Sequence, residues 1–144
     1  VAGVQFAVSD AHPGLMRALG EVFQGASWQR CCVHLMRDCM REAGSWHLRR
    51  RVGRILSPVF RGRDAATVTA MCHVAIDMPG TCCPRAAAIL EEAEPDALAY
   101  LDFPPSHWKR LRTNNVQGRT NREIKRRSRV VQVFPLNLNL PRFH

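Results

Sequence analysis

The chain has 144 residues, with 46% apolar and 7% aromatic residues and a net charge of +9. That length supports a hydrophobic core, and the composition is that of a globular protein rather than a disordered one. No apolar run approaches the 18 residues a membrane-spanning helix needs, and no secretory leader is visible, so no membrane partner is expected.

The first predicted element is a strand. Val4, Phe6 and Val8 alternate with Gln5, Ala7 and Ser9, and the strand ends at Asp10. His12-Pro13-Gly14 opens a helix with proline in its first turn, and Leu15, Met16, Leu19, Val22 and Phe23 follow at helical spacing until Gly25. Trp28 to Val33 reads as a second strand. A strand, helix, strand unit implies a parallel pair joined by a right-handed crossover.

From His34 to about Tyr100 the pattern is helical. Leu35, Met36 and Met40 mark one helix, and Leu48, Val52, Ile55, Leu56 and Val59 mark a second, stopped by Pro58 and Gly62. Asp64 is placed to cap a third helix running to about Met78, ended by Pro79-Gly80. Pro84 to Glu94 and Asp96 to Leu101 make one or two more. Pro104-Pro105 is a linker, and Trp108 to Arg112 leads into Thr113-Asn114-Asn115, a helix-capping cluster. A basic helix then extends to Arg127 or Arg129, Val130 to Pro135 is β-prone, and Leu136 to His144 has no helical pattern.

Charge is unevenly distributed. Lys109 to Arg129 holds nine basic residues and one acid, Glu123, and so carries +8 of the net +9. A solvated helix face would account for a small cluster; this concentration points to a polyanion, nucleic acid above all. Arg112, Asn115, Arg119, Asn121, Arg122, Lys125, Arg126 and Arg127 are the candidate DNA contacts. Gly118 lies inside this helix, where glycine costs about 1 kcal/mol relative to alanine.

Two further positions can carry chemistry. Asp10 stands at the C-terminal end of a strand, where α/β sheets place ligands, although an aspartate there also caps helices. Cys31-x-x-His34 has the spacing of half a zinc site, yet no second close pair completes it, and the other reading is a packed cysteine with a hydrogen-bonded histidine. The six cysteines, with Cys31-Cys32 and Cys82-Cys83 adjacent, read as reduced thiols.

Four segments together resemble the bacterial Mutator-type insertion-sequence transposases. They are V-S-D-A-H-P-G-L (Val8 to Leu15), W-Q-R-C-C-V-H-L-M-R (Trp28 to Arg37), F-P-P-S-H-W-K-R-L-R-T-N-N (Phe103 to Asn115) and R-T-N-R-E-I-K-R-R-S-R-V-V-Q-V-F-P (Arg119 to Pro135). The resemblance implies an α/β, predominantly helical chain: a partial RNase H-like core with an all-helical insertion. It implies core residues at 1–40, the insertion at 41–102, the basic helix of the core at 103–135 and a non-matching tail at 136–144. Two Asp and one Glu hold Mg²⁺ or Mn²⁺ in that family, as two-metal phosphoryl transfer requires. Asp10 matches the second acid. Cys31 and His34 match a Cys-x-x-His motif, read as core support.

The resemblance places the family's first Asp on a strand before Val1, and its third acid at the position of Gly118. Glu123 is five residues further on, about 140° around a helix, and is not a substitute. The expectation is therefore a truncated transposase that holds no metal productively and does not cleave or join DNA. Its expected partners are DNA, as element ends and target, and a homo-oligomer or a full-length transposase; its expected location is the bacterial cytoplasm, at the nucleoid. A non-catalytic DNA-binding or inhibitory module is the competing reading, and a zinc-dependent nucleic-acid binder is a third.

Overall fold

A computed structural model describes residues 3–80 and 83–130. Two short strands, β1 (Phe6–Ser9) and β2 (Ser27–Arg30), pair in parallel with Phe6 opposite Ser27 and Ser9 opposite Arg30. Parallel strands need a long connection, and helix α1 (Pro13–Val22) supplies it. Pro13 occupies the first turn, where a missing N–H costs nothing, and Gly25 at φ +83° makes the turn back into β2. Helix α1 has no buried residue, and Leu15, Met16 and Val22 of its apolar set are exposed.

The core lies on the other helices: α2 (Cys32–Arg41), α3 (Trp46–Val59), α4 (Ala65–Gly80) and α5 (Pro84–Ala97). Helix α5 packs on α2, α4 and β2, while α3 packs on α2 and α4. Leu35, Cys39, Val52, Leu56, Val68, Cys72 and Leu90 fill the interior with Ala75, Ala86, Ala93 and Ala97. Those small residues let the helices approach closely. At the α3–α4 turn, a Cβ on Gly62 would stand 2.6 Å from Val68 Cγ2. A 3-10 turn (Ala99–Asp102) and the short helix α6 (Trp108–Leu111) close this unit, with Tyr100 edge-on to Trp108 at 5.6 Å and Phe6 edge-on to Phe103 at 4.7 Å. Helix α7 (Asn115–Val130) belongs to a second compact unit, which begins at Asn115. Among the described residues no helix is long and apolar enough to cross a membrane.

The helix caps follow the sequence. Thr67 N–H donates to Asp64 Oδ1 at 2.8 Å, and the Thr67 hydroxyl to Oδ2 at 2.8 Å; these bonds hold the Asp64 carboxyl below its usual pKa. Ser45 accepts from Leu48 N–H at 3.3 Å and starts α3. Several boundaries differ from expectation. The second strand stops at Arg30 instead of reaching Val33, because β1 has no residue left to pair. Cys31 N–H instead donates to Ser9 O at 2.7 Å, and Cys31 becomes the N-cap of α2. Helix α4 runs to Gly80 with Pro79 in its last turn, and Pro95 lies inside α5, so Pro84 to Ala97 form one helix. A proline removes one donor, and packing of α5 on three neighbours outweighs that loss at Pro95. Val130 ends α7; the rest of the β-prone stretch, Val131 to Pro135, and the tail 136–144 lie outside the described residues.

One buried polar side chain ties the sheet to the helical block. Gln29, fully buried on β2, donates from Nε2 to Ala97 O at 2.7 Å and to Arg30 O at 2.8 Å, and its Oε1 accepts from Tyr100 N–H at 2.8 Å. Leucine at this position fills similar space but leaves the Tyr100 amide without its partner and the Ala97 carbonyl with the long Cys32 Sγ contact at 3.7 Å. Gln29→Leu is expected to lower stability by about 1–3 kcal/mol, chiefly from the orphaned Tyr100 amide. Urea unfolding followed by circular dichroism checks this, and an unchanged midpoint would refute it.

Candidate functional site

Asp10 immediately follows β1, where the two strands end. Its neighbour Ser9 is buried and receives two bonds that fix the strand end: Cys31 N–H to the Ser9 carbonyl, and the Trp28 indole Nε1–H to Ser9 Oγ at 2.8 Å. The Ser9 hydroxyl in turn donates to the Asp10 carbonyl at 2.8 Å. Asp10 itself is half-buried at the mouth of this strand end.

Cys31 is fully buried beside it, and its thiol faces the chain segment that ends the first unit. Sγ donates to Asn114 Oδ1 at 3.1 Å and lies 3.5 Å from Thr113 Oγ1. Cys32 N–H, an open donor at the start of α2, is satisfied by Arg112 O at 3.0 Å. The Arg112 guanidinium turns inward and donates from Nη1 to Phe60 O. Residues 112–114 are therefore laced across the N-terminus of α2. His34 sits one turn into that helix, half-buried, with Nδ1 buried and lacking a hydrogen-bond partner among the described residues. Arg30 and Arg41 both pair with Asp38, at 3.2 and 3.3 Å.

Among the described residues no three His, Cys, Asp or Glu side chains converge on one point. Burial pushes the Cys32 thiol far up and raises Cys39 and Cys72 to about 12. Asp10 stands without a second and third carboxylate in the described part of the chain.

The basic residues lie on α7. Arg119, Asn121, Arg122, Lys125, Arg126 and Arg127 are exposed, as is Gly118. The Asn115 side chain lies outside the described residues. Glu123 is engaged by Arg126, through Nε at 2.9 Å and Nη2 at 2.7 Å, and by Arg127 Nε at 2.9 Å. Arg126 first, and then Arg127, hold the Glu123 carboxyl below its usual pKa. The pairs follow i,i+3 and i,i+4 spacing on an exposed surface, where solvent screening leaves them weak. Arg122 Nε donates to Gly118 O at 3.3 Å, and neither Arg119 nor Arg122 forms an ion pair among the described residues.

Sequence reasoning missed Ser9 and Gln29 as contributors, and it read Asn114 as part of a helix-capping cluster rather than as the partner of Cys31. Their partners lie far along the chain or in the backbone, so no local spacing marks them. It also passed over the arginines of α3, although residues 43–63 contain six arginines and no acid.

Comparison with known proteins gives these features their setting. The model of the family "Transposase, Mutator family" matches residues 1–143. The transposase for insertion sequence element IS1081 of Mycobacterium tuberculosis is 36% identical over 137 residues, covering 94% of this chain and 32% of that protein. The transposase for ISRM5 of Rhizobium meliloti is 35% identical, covering 92% of this chain and 33% of that protein. The transposase for IS256 in transposon Tn4001 of Staphylococcus aureus is 33% identical, covering 92% and 34%. The chain thus spans about a third of the length of the curated relatives it matches. With a family match running over nearly every residue, the chain belongs to the Mutator family of transposases.

Proposed function

We propose that this chain is a portion of the catalytic region of a Mutator-family transposase, that it grips the DNA backbone through α7, and that alone it performs no strand transfer. In this reading β1, β2 and α2 belong to an RNase H-like core, and α3 to α5 form its helical insertion. Arg119, Arg122, Lys125, Arg126 and Arg127 are the phosphate contacts, with Asn121 beside them. The carrying observation is the exposed cationic surface of α7 in a chain whose relatives are named as transposases of insertion sequences.

Phosphate contacts release counterions, so affinity falls with a salt slope proportional to the number of contacts, about 0.9 per phosphate. Fluorescence anisotropy with a duplex oligonucleotide is expected to show a steep loss between 50 and 200 mM salt, and Arg119→Gln with Arg122→Gln is expected to reduce the slope by about two. An affinity that does not change with salt would rule out the electrostatic grip.

Phosphoryl transfer makes a different demand. Two metal ions must be held by clustered carboxylates, which activate the attacking oxygen and stabilise the leaving one. Asp10 is the acid placed for that work, and cleavage and joining belong to an assembly that supplies the others. Incubation of this chain with labelled element-end DNA and Mg²⁺ or Mn²⁺ is expected to give no strand-transfer product. Appearance of such a product would overturn the assignment.

A further inference from the structure

A second concentration of positive charge lies on α3, away from α7 in sequence and in a separate unit. The core face of this helix is made by Leu48, Val52, Ile55, Leu56 and Val59. At 100° per residue the opposite face carries Trp46, Arg50 and Arg54, flanked by His47, Arg49 and Arg51. All six are exposed, Trp46 by 62%.

The local structure presents this face in order. Ser45 caps the helix, so Trp46 is its first residue. The Arg50 guanidinium lies 4.8 Å from the Trp46 ring centroid, and His47 meets the ring edge-on at 5.2 Å. Arg49 donates from Nε to Ala43 O at 3.2 Å. Arg50, Arg51 and Arg54 form no ion pair among the described residues. From Ala43 to Arg63 the chain has no acid to neutralise them.

Protein–protein hot spots also use tryptophan and arginine, but around an apolar centre, so the choice of partner turns on the balance of charge and apolar surface. Here one large apolar side chain stands among four guanidinium groups. Guanidinium forks match phosphate oxygens, and a row of them without acids matches a phosphate chain. We propose that the exposed face of α3 is a second DNA-contact surface that takes the sugar–phosphate backbone, with Arg50, Arg51 and Arg54 as phosphate ligands and Trp46 at the edge of the contact. This goes beyond the proposed role of α7 and shares only its partner.

The test uses the full chain and a duplex oligonucleotide. Arg50→Gln, Arg51→Gln and Arg54→Gln together change exposed side chains only, and circular dichroism confirms that the helices persist. This variant is expected to lose about tenfold or more in affinity at low salt and to lower the salt slope by two to three, at about 0.9 per phosphate lost. Trp46 supplies a second readout that needs no arginine variant. Acrylamide quenching of its fluorescence, isolated by comparison with Trp46→Phe, is expected to fall when DNA saturates the protein.

Wild-type affinity and slope in the triple variant, with Trp46 equally quenched with and without DNA, would overturn the proposal. If that result accompanies loss of binding in Arg119→Gln/Arg122→Gln, the α7 reading stands alone. Loss only in the α3 variant supports this proposal and removes the α7 reading. Displacement of DNA by polyglutamate as effective as by DNA of equal charge would assign the surface to an acidic protein segment and overturn it as well.

Discussion

The Gln29 amide sits between β2 and the point where α5 gives way to the 3-10 turn, and it satisfies backbone groups on both sides. The Tyr100 amide can only donate and the Ala97 carbonyl can only accept, so the orientation of the Gln29 side chain is fixed by its surroundings. A parallel pair of four-residue strands is too small to stand alone. Its crossover helix α1 has no fully buried residue and only Leu19 half-buried, so α1 gives the sheet little apolar cover. The sheet is held instead from the α5 side, by this buried amide and by packing of α5 on β2. Because these bonds are shielded from water, they are strong, and leaving one partner unmatched is costly.

The same logic governs the end of the sheet. Helix α2 begins with open backbone donors, and the chain meets them with Ser9 O for Cys31 and Arg112 O for Cys32. The Cys31 thiol completes the junction against Asn114. A cysteine suits this place because it is small and buries easily, while its weak S–H donor still reaches a polar partner. The result fastens residues separated by 83 positions in sequence beside Asp10, and it does so with no metal-site geometry among the described residues.

Helices α3 and α4 were legible in the sequence because their signals are local: a 3.6-residue apolar period, and an aspartate with a threonine three positions on. The parallel strand pair was legible for the same reason. Where an outcome depends on distant partners, local signals fail. Gln29 reads as an ordinary polar strand residue until Ala97 and Tyr100 are placed against it. Val33 reads as strand until β1 runs out at Ser9. Pro95 leaves one helix or two open until packing carries α5 past it. The α3 arginines were hidden by arithmetic: acids elsewhere in the chain, several of them on α5, cancel their charge in any whole-chain count.

DNA binding and DNA chemistry make unequal demands on a scaffold. A phosphate grip needs cations at a surface, in no strict mutual geometry, and exposed ion pairs such as those of Glu123 yield readily to a phosphate. Phosphoryl transfer needs several carboxylates brought to one point, and a missing ligand removes the site rather than weakening it. At residue 118 a glycine stands where the resemblance places an acid. Its carbonyl accepts from the Arg122 side chain, and the position offers no side-chain oxygen ligand. The cationic surface of α7 is therefore compatible with glycine at 118 where a carboxylate cluster is not, and in the proposed reading holding DNA is separable from cutting it.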